Sequence, residues 1–255
     1  MDEKLKKVIE EVKEKTKKEC YVFKRTFDEP LITDSKVGGN PYLPEGEELP
    51  KSSKGEYMPL FIQINLDNVN IENFPNKGLL QLFADKDVDW PTDFKFRYYE
   101  DYSKPSQTEF PEIDRKYFFV QEEIKIELEK QETFISINDY RFSDLFCEAA
   151  NKHFDIDISY WMDIEDEDDL DVDLDDIFEA FPHDNGNIGG YPDFTQTDPR
   201  DGDLDEEYTE CLFKLDSCLD SRIQIGDSGI AWALMTKEDL VNKNFDNARF
   251  DWDCC

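Results

Sequence analysis

The chain has 255 residues, of which 38% are hydrophobic and 14% aromatic, and its 62 acidic side chains outnumber 29 basic ones to give a net charge of −33. So many large apolar groups exclude a disordered chain and predict one unit with a sizeable core. A negative field of this size repels phosphate backbones and anionic headgroups, so the composition argues against nucleic acid and membrane as direct partners and favours cations or a basic protein. Solubility alone also accounts for such a charge.

The first half of the chain predicts a helix followed by strands. Leu5, Val8, Ile9 and Val12 recur at helical spacing and indicate an amphipathic helix. From Tyr21 the apolar period changes to two, which is typical of a strand. A turn-rich loop and three further strands follow, in "MPLFIQINL", "GLLQLFAD" and "FKFRYYED".

The second half repeats this plan after a connecting strand. The alternation in "EEIKIELE" predicts a strand with one exposed face, and "FSDLFCEAANKHF" predicts a helix with one apolar face. The next segment, "IDISYW", is interpreted as a short strand, and an acidic run from Asp163 to Asp176 is interpreted as a solvated helix or loop.

An internal duplication is predicted from matches at a constant offset of 151 residues. Apolar runs match at this offset, "FIQIN" with "LFKLD" and "GLLQLF" with "GIAWAL". The turns that precede them match too: Gly38, Gly39 and Pro41 correspond to Gly189, Gly190 and Pro192. Each Gly-Gly-x-Pro supplies positive φ followed by a fixed φ, so these residues are expected to turn the chain where two halves meet.

The predicted fold class is therefore α+β, mostly antiparallel sheet with an internal duplication, in which two pseudo-symmetric helix-plus-strands halves pack as one unit. The expected organisation is a single domain over 1–255. It comprises a first repeat at about 1–103, a connecting segment at about 104–137, and a second repeat at about 138–255 with an acidic insertion at about 162–186.

The sequence offers no catalytic constellation. Ser228 in "IGDSGIA" would need a histidine base, and neither His153 nor His183 lies in a recognisable base motif, so a turn is the preferred interpretation. No nucleotide-binding motif is present, and the six cysteines form no zinc pattern or C-x-x-C pair. We expect no catalytic residue, no cofactor and reduced thiols. The amino terminus lacks the apolar segment of a secretion signal, so a cytoplasmic location is expected.

Calcium is the metal that an acidic run would favour. Asp171, Asp173 and Asp175 have the spacing that opens an EF-hand loop, but Asp176 stands where the loop needs glycine and Pro182 where it needs glutamate. These three aspartates are therefore candidates for weak divalent-cation binding only.

The ordered motifs "GGNPYLPEGEELP", "PLFIQINL", "KGLLQLFAD", "IGGYPDFTQTDPR", "GDSGIAWALMTKEDL" and terminal "WDC" resemble the YwqG-like family of bacterial proteins of unknown function over roughly residues 20–255. The resemblance implies a bacterial cytosolic protein and no particular activity. The acidic run and "FPHDNGN" look expanded relative to the family.

Polar side chains within these motifs are the candidate ligand-binding residues: Gln63, Asn65, Gln196, Asp198, Arg200, Asp216 and Asp227. They either cross-link the two halves through hydrogen bonds or line a cleft between them. The first function hypothesis is a non-enzymatic binding module that sequesters a basic protein. The alternatives are a small-molecule-binding protein or enzyme with a cleft between the halves, and weak divalent-cation binding. No oligomeric state follows from the sequence.

Overall fold

The computed structural model describes residues 1–87, 93–167, 170, 172–182, 184–202 and 207–254. Within them the strands are β1 (Lys18–Arg25), β2 (Lys36–Val37), β3 (Leu60–Asn65), β4 (Leu79–Ala84), β5 (Phe94–Tyr99), β6 (Ile124–Thr133), β7 (Gly186–Gly189), β8 (Glu210–Asp216), β9 (Ile230–Met235) and β10 (Arg249–Asp253). The α-helices are α1 (Glu3–Thr16), α2 (Phe142–Phe154), α3 (Leu174–Ala180) and α4 (Lys237–Val241). Short 3₁₀ helices lie at Trp161–Asp166, Ser217–Leu219 and Phe245–Asn247. The predicted α+β class with mostly antiparallel sheet is confirmed.

The described strands form one sheet in the order β10-β9-β8-β7-β1-β6-β2-β3-β4-β5, and neighbouring strands run antiparallel. If β1 is exchanged with β6, β2 with β7, and so on to β5 with β10, the resulting order is the original order read backwards. The two central strands link distant parts of the chain: β1 of the first repeat pairs with β7 of the second repeat as well as with β6, and β6, which lies in the predicted connecting segment, pairs with β2 as well as with β1. Neither half therefore forms a complete sheet without a strand from the other.

Local irregularities recur at equivalent places in the two halves. The ladder between β3 and β4 shifts register at Leu60/Ile62, and the ladder between β8 and β9 shifts at Cys211/Phe213, which is the same offset as the sequence matches. The two paired glycines of each half also share left-handed backbone, with φ of 71° and 75° at Gly38 and Gly39 and of 68° at both Gly189 and Gly190. A side chain is excluded at Gly190 because a Cβ there would lie 2.6 Å from the Thr133 methyl carbon on β6.

The sheet curves until its two halves face each other. β3 and β8 are separated by five strand spacings, or about 24 Å in a flat sheet. Yet the rings of Phe61 on β3 and Phe213 on β8 lie only 6.2 Å apart, centroid to centroid. At the sheet edges, Phe94 on β5 lies 5.6 Å from Phe250 on β10. A single apolar core drawn from both halves fills the enclosed space.

A second apolar core joins the helices. Asp2 caps α1 by accepting hydrogen bonds from the N–H groups of Lys4 and Leu5, and the predicted apolar face of α1 is buried against α2. The 3₁₀ helix Trp161–Asp166 and α3 complete this layer. None of the helices within the described ranges combines the length and hydropathy that a bilayer crossing requires.

Two local predictions differ from the structure. The predicted short strand "IDISYW" is wrong: Ile158 and Trp161 pack into the helical core, and Trp161 begins a 3₁₀ helix. The alternation that begins at Tyr21 continues to Phe27 in the sequence, but strand β1 ends at Arg25, so Phe27 lies beyond it and is 88% exposed. In both places tertiary packing overrides a short apolar alternation.

Candidate functional site

Gln63, on β3, lies in the interior of the first half. Its side-chain carbonyl accepts a hydrogen bond from the Tyr42 N–H at 2.9 Å, and its amide donates to the carbonyls of Ile32 and Asp34, each at 2.9 Å. The Gln81 amide adds a fourth bond at 2.8 Å. Gln63 therefore holds the 32–42 loop against the sheet.

The second half places a lysine at the position equivalent to Gln63. Lys36 on β2 lies opposite Gln63 on β3, and Asn187 on β7 lies opposite Lys214 on β8. Each pair therefore contains one amide and one lysine, but the lysine is on the first strand of the pair in one half and on the second strand in the other. Each buried lysine reaches one carboxylate: Lys36 Nζ lies 2.8 Å from Glu123 and Lys214 Nζ lies 3.8 Å from Asp193. The positive charge of each buried lysine is thus compensated by a carboxylate of the same chain.

Asn65 and Asp216 close equivalent turns at the ends of β3 and β8. The Asn65 side-chain oxygen accepts the Asp67 N–H at 2.9 Å, and the Asp216 carboxylate accepts the Cys218 N–H at 2.6 Å. Each side chain satisfies a backbone donor two residues later in its own turn.

Asp198 and Arg200 belong to a buried ion network at the start of α2. Arg200 Nη2 donates to Asp198 at 2.6 Å and to Asp139 at 2.8 Å. Arg141 donates to Asp139 through Nε at 2.8 Å and Nη2 at 2.6 Å. The Tyr140 N–H also donates to Asp198, at 3.2 Å. The network therefore fastens the loop after the second glycine turn to the first turn of α2.

Sequence reasoning missed Asp139 and Arg141, although a local signal marks them. In both pairs, an aspartate followed two residues later by an arginine accepts the arginine backbone N–H and binds its guanidinium through both carboxylate oxygens. The same Asp-x-Arg arrangement recurs at Asp220 and Arg222. This spacing would have predicted three fixed carboxylate–guanidinium pairs.

The remaining candidates lie apart from this network. Gln196 is exposed and donates to the Cys254 carbonyl at 2.8 Å. Asp227 is exposed in the turn that carries Ser228, whose φ is 61°. Of the seven candidates, only Asp198 and Arg200 bind each other directly, whereas Asn65 and Asp216 close turns and Gln63 holds a loop.

The acidic residues proposed for metal binding are placed only in part. Asp173 caps α3 by accepting the Asp175 N–H at 3.0 Å, and Asp171 lies outside the described residues. The described carboxylates close enough together to hold one cation are instead Glu56, Asp85 and Asp87. Lys54 Nζ lies 3.5 Å from Asp85 and 3.7 Å from Asp87, so an ammonium already supplies positive charge there.

A cleft of about 400 Å³ lies between the two halves beside the second glycine turn. The first half contributes residues 17–19 at the start of β1 and the 71–74 loop. The second half contributes 189–190, 210–211 and Lys237. This volume is in the range of small-molecule sites, and charged side chains of both signs line the walls. We call this space the inter-half cleft.

Burial perturbs the titrating groups around the inter-half cleft. The Lys18 ammonium lies 4.6 Å from the centre of the Tyr191 ring, and burial lowers the pKa of Lys18. Burial also raises the pKa values of Cys211 and Tyr191, each to about 12. Cys211 is therefore protonated at neutral pH and is a poor nucleophile. Lys18 makes no ion pair with any described carboxylate, so its ammonium is the cation in this cleft that is best placed to meet a ligand.

The fold and the cleft define an α+β protein with one curved sheet built from both halves of the chain. Residues 35–254 match the family model described as a domain of unknown function, DUF1963, and the chain belongs to this family. Helix α1 and strand β1 precede the matched range. No curated protein matches the chain. The predicted membership of a family of unknown function is confirmed at this level, and the YwqG-like name stays a prediction.

Proposed function

We propose that the protein is a non-enzymatic binding module for a basic protein partner. The supporting observation is how the charges are distributed. Most lysine and arginine side chains that the structure describes lie within 4.0 Å of a carboxylate of the same chain, as Arg25 and Arg222 do at Asp220. Carboxylates exceed basic groups about twofold, so the surplus is left outside these pairs and attracts a cationic surface.

The test is titration of the full chain with a basic globular protein such as lysozyme, followed by calorimetry. Saturable binding is expected at about 0.05 M salt and at least tenfold weaker binding at about 0.5 M, because salt screens the attraction. An acidic protein of similar size is the control. Equal binding of the two proteins, or none of either, would contradict the proposal.

A second candidate function is small-molecule binding in the inter-half cleft. It is supported by the position of Lys18, which is half-buried, lies over Tyr191 and faces a cavity lined by both halves. We expect small carboxylates or zwitterions to raise the melting temperature of the protein, and the Lys18→Met variant to lose the rise. A Lys24→Met variant, with an exposed lysine on the same strand, is the control. A screen in which no small anion or zwitterion stabilises the wild type would remove this candidate.

The internal duplication is likewise a proposal. It is supported by the reversible strand order, by the paired register shifts and by the matched φ values of the four glycines. A family member whose strand order does not reverse onto itself would contradict it. We also propose a bacterial cytoplasmic location, which agrees with buried free thiols at Cys20, Cys147 and Cys211.

A further inference from the structure

Three large apolar side chains are exposed in the segment between α2 and β7. Tyr160 is 48% exposed, Met162 37% and Phe178 42%. Isolated exposed apolar residues are common on protein surfaces, but a contiguous group of them marks an interaction site.

Contacts through Trp161 make them one patch. The Trp161 ring lies 6.3 Å from the Tyr160 ring and 5.5 Å from the Phe178 ring, and the Tyr160 hydroxyl donates to Met162 Sδ at 3.3 Å. Trp161 itself is buried and packs edge-on against Phe142 of α2 at 5.6 Å. The patch is therefore anchored to the helical core and is already formed in the free protein.

The charged side chains of the segment that carries the patch are all acidic, and the Met1 ammonium pairs with one of them, Asp176 on α3, at 3.1 Å. The sequence has no lysine, arginine or histidine from 155 to 182. The exposed carboxylates beside the patch are Asp163, Glu165 and Asp166 on the 3₁₀ helix and Asp175 and Glu179 on α3. None of these five makes an ion pair with a described residue, whereas on α1 the carboxylate of Glu11 binds both Lys15 and Lys152.

This combination specifies the chemistry of an occupant. Aromatic rings and a flexible thioether accept an apolar helix face, and aromatic rings also attract cations at their faces. Unpaired carboxylates around them favour lysine and arginine and repel an acidic surface, including a second copy of this chain. A purely solubilising surface would need the charges but not the exposed rings.

We propose that Tyr160, Met162 and Phe178, with the five carboxylates around them, form a docking surface for a basic amphipathic helix of a partner protein. The apolar face of that helix lies on the Tyr-Met-Phe patch, and its lysines or arginines pair with the carboxylates at the rim. This inference rests on the proposed function and names the surface and the segment through which a basic partner binds.

The test uses the full chain and a fluorescent helical peptide of leucine and lysine with one apolar face. Affinity is measured by anisotropy at two salt concentrations. The Met162→Ser/Phe178→Ser double variant is expected to bind at least tenfold more weakly than the wild type. The control is Leu31→Ser/Val241→Ser, which removes two exposed apolar side chains elsewhere and is expected to bind as the wild type does. Unchanged melting temperatures establish that both variants are folded.

A charge series completes the design. Replacing Asp163, Glu165 and Asp166 with their amides is expected to weaken binding and to reduce its salt dependence. The same change at Glu45, Glu109 and Glu112, which are also exposed, is expected to have a smaller effect.

Equal binding by patch and control variants would overturn the docking surface while leaving a basic partner in place elsewhere. A wild type that binds neither this peptide nor the basic globular protein would overturn both proposals. Self-association that the patch variant abolishes, seen by sedimentation, would reassign the surface to a second copy of the chain.

Discussion

Replacing Arg200 with methionine is expected to lower the free energy of unfolding by about 3–5 kcal/mol, because it leaves the buried Asp198 carboxylate without a counter-charge. Asp198 would lose its guanidinium partner, and Asp139 would keep only Arg141. Arg200, Asp139 and Asp198 are almost inaccessible to solvent, so water cannot replace the lost hydrogen bonds. Urea denaturation followed by tryptophan fluorescence measures the loss.

Arg249→Met is the matched control for this prediction. It changes the net charge of the protein by the same amount as Arg200→Met does. Arg249 is exposed and lies over the Tyr208 ring, so the free energy of unfolding is expected to change by less than about 0.5 kcal/mol. Similar losses in the two variants would mean that the network contributes no more than net charge does.

The pH dependence of this difference has a definite sign. Burial alone would raise the pKa of Asp139, but the hydrogen bonds from Arg141 and the charges of Arg200 and Arg141 outweigh it and hold the pKa below its usual value. A carboxyl with a lowered pKa stabilises the fold above its unfolded pKa, about 3.9 for aspartate, and this contribution is lost as the pH falls through the folded pKa. The stability gap between wild type and Arg200→Met should therefore narrow below about pH 4.

Truncating Phe61 to alanine is expected to cost about 3–5 kcal/mol, through lost apolar burial and the cavity left behind. Phe61 is fully buried, and its ring lies 5.1 Å from Phe119, 6.2 Å from Phe213 and 5.7 Å from Phe250. Those neighbours come from the connecting segment and from the second half, so the cavity opens where the two halves face each other. The same urea titration measures this variant.

Phe27→Ala is the control for Phe61→Ala, since the same atoms are removed from a side chain that is almost fully exposed. A change of no more than about 0.5 kcal/mol is expected. If Phe61→Ala were equally mild, the contact between the halves could not be a major source of stability.

Local pattern was enough to predict much of the fold. Apolar spacing identified the buried face of α1, and alternation identified β6, where Ile124 and Ile126 are buried and Glu127 is exposed. The runs that match at one offset form β3 with β4 and β8 with β9, and the register shifts of these two ladders lie at that offset. Pairing partners could not be obtained in this way, because the pairing of β1 with β7 depends on contacts between distant parts of the chain.

The candidate site was predictable to a smaller extent. Asp198 and Arg200 were identified as polar residues that follow the second glycine turn, but Lys18 and Glu210 of the inter-half cleft carry no local signal. They become neighbours only when β1 pairs with β7, which places β1 one strand away from β8 in the sheet. No local signal separates the exposed Phe178 from the buried Ile177 beside it on α3.

The crossed central strands also set the order in which the molecule can be completed during synthesis. Strand β1 is synthesised before the other strands, but one of its edges pairs with β6, where Lys18 lies opposite Thr133, and the other pairs with β7, where Cys20 lies opposite Gly189. Both edges therefore stay unpaired until these later strands have been synthesised. Until then β1 is an open strand that could pair with other nascent chains. The charges along it, including Glu19, Lys24 and Arg25, oppose such pairing while the rest of the chain is being made.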